Sequence, residues 1–595
     1  MSIVSGQSWG WFYPVSGRRG AILCGPNGYE ALCSHRQWTR LASELAEAGI
    51  PTLRFDYPGC GDALDDDEMP ERVRAWLDGI HDAVAFMRQQ SGIEEIALIG
   101  LRLGGILALA AAQELARRNK AVDALVLLAA PASGAAYVKE LRMLSMMAKA
   151  RRPDAASDAP GIEAAGFHYT PETIAELKSL NPVAEDIVPA QSVLVLDRED
   201  SVSGLADQFR KKGIAVTSAP FAGYARLMND AALSQYPTED FDRIVDWLRP
   251  EETLTKRIAP PSGTHVIGIP RGTETPIWIE GATPLFGVFS EPTQAAPHRS
   301  AVLILNTGAN HHIGTNRMSV SIARRLIAEG IAVLRIDAGG VGESPSVPGR
   351  PDNAFAREDM IADARRAVDW LAGRGYQDIT LNGLCSGAWL CFQTALAEPR
   401  VTGQILLNLQ GLWQSASLAR TMESNRKYLR LLRQARTWRR LFKGEIDVKG
   451  IAVVLSLRLR EAVLVGTKRV FGGFAGTETI ERKTKRQMKA LAARGVNTSF
   501  VYVAADRGLD ELELHFGRLG EALHAEANVH FTIIEEGDHL FSMKRSRDRL
   551  IELMATQFSA GRFVPTHTIK KDSQSQRSSV SRQESMISRV AINDQ

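Results

Sequence analysis

The sequence predicts an α/β protein made of two similar domains, each with a parallel β-sheet covered by helices on both faces. Three observations support this fold class. Apolar runs of strand length alternate with amphipathic helical stretches, as in βαβ units. The same order of segments occurs twice along 595 residues. In both copies a strand ends in a glycine-flanked turn that opens a helix, LIGLRLGG at 98–105 and LNGLCSGA at 381–388.

The elements follow one another in the same order in the two copies. The first copy has a strand, AILCGP (21–26), an amphipathic helix, WTRLASELAEAGI (38–50), and a second strand, TLRFDYPGCGDA (52–63). The second copy has AVLILNTG, SVSIARRLIAEGI and VLRIDAGGVGES between 301 and 344. Asp56 lies 46 positions before Arg102, and Asp337 lies 48 positions before Cys385. This regular spacing indicates a duplicated domain.

Composition shifts set the predicted boundaries. We expect a first domain at 1–248, a linker rich in Pro, Gly, Ser and Thr at 249–273, a second domain at 274–561 and a disordered polar tail at 562–595. The second copy has 154 positions between Cys385 and His539, where the first has 122 between Arg102 and Tyr224. The extra residues predict a helical lid at about 412–485. Its part at 420–470 holds fourteen Lys or Arg against four acidic residues.

Bulk properties narrow the class of protein. The net charge of +3 is too small to indicate nucleic-acid binding, and five cysteines without metal-ligand spacing favour a reducing cytoplasm. The N-terminus shows no signal-peptide pattern, and the apolar stretch around Arg102 is interrupted by charge and glycine. We therefore expect a cytoplasmic protein without cofactor or metal ion.

The turn at Cys385 has the Gly-x-nucleophile-x-Gly pattern of a nucleophile elbow. Small neighbours at Gly383 and Gly387 allow the strand and the helix to approach while the apex side chain projects above the sheet. At the helix N-terminus the dipole favours a thiolate and an oxyanion. Cys385 is therefore the predicted nucleophile, and the backbone N–H of Ser386 is a predicted oxyanion donor.

A thiol nucleophile needs a base and a group that orients the base. His539 follows the last apolar strand, FTIIEEGDH, and Asp506 follows the strand before it, TSFVYVAAD. Asp510, one helical turn later, is the alternative acid. A second oxyanion donor is expected from the loop 306–314, at Gly308 or Ala309. Asn310, His311 and His312 in this loop are expected near the mouth of the site, without a metal role.

These residues carry a resemblance. The chain resembles two tandem α/β-hydrolase domains over about 20–245 and 275–560. The second resembles serine aminopeptidase-like hydrolases with the elbow cysteine of dienelactone hydrolases. Thioesterases and N-acyltransferases of the same superfamily also have an elbow cysteine. A fainter resemblance links both halves to hydrolases of bacterial exopolysaccharide clusters.

The first domain is predicted to be a degenerate copy. Its elbow residue is Arg102, which cannot act as a nucleophile, and Tyr224 stands where the second copy has His539. Asp197 or Asp200 takes the position of the acid. Arg102 is expected to pair with nearby carboxylates, Asp56 or Asp200, or to bind an anionic ligand.

The predicted function is hydrolysis of an ester or thioester by Cys385, His539 and Asp506. The alternatives are acyl transfer through the same acyl-enzyme and a non-catalytic binding or assembly module. The expected partner is a small-molecule or carrier-bound acyl substrate, not nucleic acid. The basic lid also suits contact with a membrane surface. Acyl group, leaving group and oligomeric state are not specified by these motifs.

Overall fold

The structure is a computed structural model that describes residues 2–5, 8–90, 92–151, 160–181, 187–249, 266–355, 357–411, 480–524, 528–559 and 561–564. Most of the predicted lid and tail, and residues 250–265 of the predicted linker, lie outside this described part. The described residues between 2 and 249 are called the N-terminal half below, and those between 266 and 564 the C-terminal half.

The N-terminal half contains an eight-stranded sheet in the order β1-β2-β4-β3-β5-β6-β9-β10, in which all strands from β4 onward are parallel. A two-stranded hairpin, β7–β8, is separate from it. The strands are β1 (Ser2–Ser5), β2 (Ser8–Tyr13), β3 (Arg19–Cys24), β4 (Thr52–Asp56), β5 (Glu95–Leu101), β6 (Val122–Leu128), β7 (Ile162–Ala164), β8 (Phe167–Tyr169), β9 (Ala190–Asp197) and β10 (Ala215–Pro220). The helices are α1 (Tyr29–Glu47), α2 (Arg72–Gln89), α3 (Leu103–Arg117), α4 (Gly134–Arg151), α5 (Pro171–Ser179), α6 (Leu205–Lys211), α7 (Tyr224–Leu227) and α8 (Thr238–Leu248).

The C-terminal half contains a nine-stranded sheet in the order β11-β12-β13-β15-β14-β16-β17-β18-β19, parallel from β15 onward. Its strands are β11 (Ile267–Ile269), β12 (Gly272–Ile279), β13 (Leu285–Pro292), β14 (Ser300–Ile304), β15 (Ala332–Ile336), β16 (Asp378–Leu384), β17 (Val401–Leu407), β18 (Asn497–Val503) and β19 (Val529–Ile534). Its helices are α9 (Met318–Ile327), α10 (Met360–Ala372), α11 (Ser386–Ala397), α12 (Ile480–Ala493), α13 (Arg507–Phe516) and α14 (Lys544–Phe558), with 3-10 turns at Thr315–Arg317 and Arg518–Leu523.

Each sheet is buried on both faces, which explains why its strands are continuous apolar runs. Successive side chains of a strand point to opposite faces. Thus Ile96 and Leu98 of β5 belong to one hydrophobic cluster, and Ala97 and Ile99 belong to another on the opposite face. In the C-terminal half, alternate side chains of β14 likewise belong to two hydrophobic clusters on opposite faces of the sheet. The predicted fold class, with parallel sheets between helices, is confirmed.

The two halves share an apolar contact beside the antiparallel strands. Trp9 and Trp11 of β2 cluster with Ile267, Ile269 and Phe286 of the C-terminal half. Residues 266–273, which the sequence assigned to the linker, therefore supply strand β11 and the start of β12. The turn between these two strands falls at Pro270 and Arg271, and the IGI run before it is too short to be recognised as a strand from periodicity.

Buried charges join the halves in a reciprocal pattern. Arg54 of the N-terminal half lies 2.5 Å from Glu343 of the C-terminal half, and Arg335 lies 2.7 Å from Asp62. Arg335 and Glu343 each stand 281 positions after Arg54 and Asp62, respectively. The side chains of all four residues are at most 4% exposed.

The backbone contacts repeat the same offset. Arg36 donates to the carbonyl of Gly342 at 3.0 Å, and Arg317 donates to the carbonyl of Gly61 at 2.7 Å. Equivalent surfaces that contact each other reciprocally are the mark of an isologous, two-fold interface. The halves therefore pack as a homodimer would, within a single chain.

Candidate active site

The turn between β16 and α11 has the geometry of a strained elbow. Cys385 has φ 57° and ψ −114°, and its backbone N–H donates to the carbonyl of Leu407. A Cβ atom at Gly383 would lie 2.3 Å from the backbone of Gly387, and one at Gly387 would lie 2.6 Å from the carbonyl oxygen of Asn306. Only glycine fits these two positions. The crowding holds Cys385, which is partly exposed, at the carboxyl end of the sheet.

The three residues predicted as nucleophile, base and acid are brought together. His539 Nδ1 lies 2.7 Å from Asp506 Oδ2, and the Cys385 side chain lies close enough to the same imidazole ring to raise its pKa. Burial disfavours the charged ring, but the hydrogen bond to Asp506 and the neighbouring Cys385 outweigh it and raise the pKa of His539 to about 10. A ring with a raised pKa beside the sulfur is suited to take a proton from it.

Asp506 is held in one orientation by its neighbours. Its Oδ1 accepts from the backbone N–H of Gly508 at 2.7 Å and from Gln410 Nε2 at 3.2 Å, leaving Oδ2 for His539. The Gly508 bond also caps the start of α13. Of the two candidate acids, Asp506 is the one that hydrogen-bonds to the imidazole.

Two further polar residues support the histidine. Asn408 Nδ2 donates to the carbonyl of His539 at 2.8 Å, while Asn408 Oδ1 accepts from the backbone N–H of Val503. Gln410 supports the ring through Asp506, because its Nε2 donates to Asp506 Oδ1 at 3.2 Å. Sequence reasoning missed both residues. The signal was present, because the apolar strand β17 is followed directly by the polar pattern NLQ.

The expected oxyanion donors lie beside the elbow. Ser386 begins α11, so its backbone N–H belongs to the unpaired first turn. The N–H of Gly308 donates to Ser386 Oγ at 2.8 Å, so this amide is engaged in the resting site. Gly308 has φ 56°, and a Cβ atom there would meet no described atom within 4 Å. Ala309 follows it and is 7% exposed.

His311 and His312 do not line the mouth of this site, contrary to expectation. Both are buried at the contact with the N-terminal half, and each has a partner there. The ring of His311 stacks on that of His35, with centroids 3.6 Å apart. His312 bridges Asp62 at 2.6 Å and Asp337 at 2.8 Å. Burial opposes its charge, but the two carboxylates raise the pKa of His312 to about 10.

The N-terminal half has the same elbow shape with a different occupant. Arg102 has φ 56° and ψ −119°, close to the values at Cys385. Its guanidinium pairs with Glu30 at 2.7 Å and with Glu140. The prediction that Arg102 pairs with Asp56 or Asp200 is therefore wrong.

The two carboxylates expected beside Arg102 have other partners. Asp200 pairs with Arg198, and Asp56 accepts a backbone N–H from Asp62. Glu30 and Glu140 come from helices α1 and α4, which flank the elbow. Tyr224, in the position of the histidine, lies with its ring centroid 5.9 Å from the Arg102 guanidinium.

The described residues contain no group of three His, Cys, Asp or Glu side chains placed to hold a metal ion. Among the helices given above, none is long and apolar enough to cross a bilayer.

Comparisons with known proteins concern the fold. A family model for the alpha/beta hydrolase fold matches residues 22–160. A search of curated proteins gave no match. An esterase from Pyrococcus furiosus is 11% identical, with 48% of this chain and 89% of the esterase covered and a TM-score of 0.31.

Two other solved structures are similar in the same way. An alpha-beta serine hydrolase homologue from Coxiella burnetii is 14% identical, covering 47% of this chain and 96% of its own, with a TM-score of 0.29. Est1E from Butyrivibrio proteoclasticus, with ferulic acid bound, is 14% identical and covers 42% and 97%, with a TM-score of 0.30. From the family match and the strand order, the chain has an α/β-hydrolase fold, with two sheets consistent with two domains.

Proposed function

We propose that the C-terminal half is an acyl hydrolase that cleaves esters or thioesters through Cys385, His539 and Asp506. One observation carries the proposal: the imidazole of His539 hydrogen-bonds to the Asp506 carboxylate and lies beside the Cys385 side chain, which contributes to its raised pKa. A nucleophile, a base and an orienting acid in this order are what acyl transfer to an enzyme requires.

The proposed reaction has two stages. His539 takes the proton of the Cys385 thiol as the sulfur attacks the substrate carbonyl, and the ring then gives this proton to the leaving alcohol or thiol. In the second stage His539 takes a proton from water, which attacks the thioester; the sulfur leaves with that proton, so the acid and the free cysteine are released. Asp506 holds the ring through Nδ1 and stabilises its positive charge whenever the ring is protonated.

The developing oxyanion needs donors that are already in place. We assign this role to the N–H of Ser386 and to an N–H of the loop at Gly308 or Ala309. Gly308 is bonded to Ser386 Oγ in the resting site. A change in the Ser386 rotamer would exchange this hydroxyl for the substrate oxygen.

We infer that the N-terminal half is a pseudo-hydrolase domain. Arg102 occupies the place of the nucleophile, and Glu30 and Glu140 hold its guanidinium in place. The elbow geometry is kept without the chemistry. The resemblance of the C-terminal half to serine aminopeptidase-like and dienelactone-hydrolase-like enzymes supports the same assignment of roles.

Alkylation by iodoacetamide, read by peptide mass spectrometry, tests the proposal together with hydrolysis of p-nitrophenyl esters and acyl thioesters. We expect Cys385 to be alkylated faster than Cys24, Cys33 and Cys391, which are buried. His539→Ala is expected to slow this reaction and to lower hydrolysis by about a thousandfold. His298→Ala, a change at an exposed histidine, is the matched control and is expected to have no effect.

The same experiment separates the alternatives. Equal, slow alkylation of all five cysteines without hydrolysis would contradict the proposal and favour a binding or assembly module. An acylated Cys385 that passes its acyl group to an added amine faster than to water would identify an acyltransferase instead.

A further inference from the structure

The segment that follows His539 lies against the N-terminal half. This segment, 540–547, includes the first turn of helix α14, which begins at Lys544. Met543 stands at the N-cap position and provides no side-chain hydrogen bond to the first turn. The exposed backbone N–H groups of a helix start need an acceptor from elsewhere.

That acceptor comes from the other half of the chain. Glu163, on strand β7, accepts the backbone N–H of Lys544 through Oε1 at 3.0 Å. A carboxylate at this position satisfies an otherwise unpaired donor and interacts favourably with the helix dipole. Glu163 thus caps α14 across the interface.

A second contact fixes the same helix turn. Arg547 is 5% exposed, and its Nη1 donates to the carbonyl of Gly166 at 2.9 Å. Gly166 lies in the turn of the β7–β8 hairpin, and a Cβ atom there would lie 2.0 Å from the side-chain oxygen of Asn316. Asn316 in turn donates to the carbonyl of Leu540, the residue next to His539. The hairpin therefore contacts the histidine loop on two sides.

We propose that the β7–β8 hairpin of the N-terminal half is a positioning element that holds His539 in register with Cys385 and Asp506. Glu163 of the hairpin and Arg547 of α14 are the positioning residues. This rests on the function proposed above. The N-terminal half then has a defined role in a chain where its own elbow carries arginine: it completes the neighbouring site without contacting the substrate.

Steady-state kinetics of Glu163→Ala in the full-length protein test the proposal. Displacement of a catalytic group by about 1 Å costs on the order of a hundredfold in rate. We expect kcat to fall about 10- to 100-fold with KM changed less than about twofold, because the substrate surface is untouched. Glu163→Gln keeps an acceptor oxygen and is expected to restore most of kcat. Glu535→Gln, an exposed change four residues before His539, is the matched control.

The rate of Cys385 alkylation as a function of pH gives an independent readout. In Glu163→Ala the pH profile is expected to shift toward that of His539→Ala, because the ring is less often beside the sulfur. A merely structural cap would lower the melting temperature and leave the profile of the folded fraction unchanged, which would overturn the proposal. So would a kcat within twofold of wild type. If Cys385→Ala is as active as wild type, the proposed function itself fails.

Discussion

The change Asp62→Asn removes one charge from the buried contact between the halves. The Asp62 side chain is fully buried, with His312 2.6 Å from one oxygen and Arg335 2.7 Å from the other. Asparagine has nearly the same size, so the packing is kept. It cannot neutralise the positive charges of His312 and Arg335, and its amide nitrogen faces one of their donors.

The cost follows from how buried ion pairs behave. Removal of one partner from such a pair destabilises a protein by about 3–5 kcal/mol, since the other charge remains buried without compensation. Here Asp337 still pairs with His312 and Glu274 still pairs with Arg335. We therefore expect a loss of about 3 kcal/mol in the free energy of unfolding, near the lower end of that range.

The contributions of His312 and Asp62 to the free energy of unfolding depend on pH in opposite directions. The folded pKa of His312, about 10, is above its unfolded value, so its contribution is fully present below about pH 6.5 and is lost as pH rises through about 10. The pKa of Asp62 is held well below its usual value by His312 and Arg335 despite burial. Its contribution is present above about pH 4 and is lost as pH falls. The fall in the free energy of unfolding toward high pH and the fall toward low pH are both expected to be smaller in Asp62→Asn than in wild type.

Urea unfolding followed by tryptophan fluorescence is the assay, because Trp9 and Trp11 lie in the contact between the halves. The control is Asp66→Asn, an exposed change on the same loop, expected within about 0.5 kcal/mol of wild type. A cost below about 1 kcal/mol for Asp62→Asn, or a wild-type stability that does not fall between pH 7 and 10, would refute the reasoning.

Three further predictions concern the interface, the oxyanion loop and the arginine elbow. Glu343→Gln, the reciprocal change, should cost at least as much as Asp62→Asn in urea unfolding, since it leaves Arg54 buried without a carboxylate; a much smaller cost would contradict the two-fold arrangement. Ser386→Ala frees the Gly308 amide and should leave ester hydrolysis within about threefold of wild type; a hundredfold loss would assign the donor role to the hydroxyl. Arg102→Ala should lower the melting temperature, because Glu30 loses its partner, and should leave hydrolysis unchanged; lost hydrolysis in folded protein would give Arg102 a part in the reaction.

The local part of the site was readable from the sequence. Glycines on both sides of Cys385 fix the elbow by sterics alone, and the position of His539 after the last strand follows from the order of elements in a parallel sheet. Asp506 was favoured over Asp510 because it directly follows a strand. In the structure Asp506 hydrogen-bonds to the ring of His539.

The contacts between the halves were not readable. His312 and Asp62 are 250 positions apart, and no periodicity within either copy indicates that they meet. The choice of Glu30 and Glu140 as partners of Arg102 depends on how α1 and α4 pack over the elbow, which pattern reasoning does not supply. The predicted lid at 412–485 and the membrane contact assigned to it fall almost wholly on residues outside the described part.

The most direct test of the central claim is a rapid-quench experiment with a chromogenic thioester, followed by peptide mass spectrometry. The account predicts a burst of released thiol and an acyl group on the peptide that contains Cys385, absent in Cys385→Ala and accumulated in Asp506→Asn more slowly than in wild type. An acyl group on another residue, or turnover undiminished in Cys385→Ala, would contradict it.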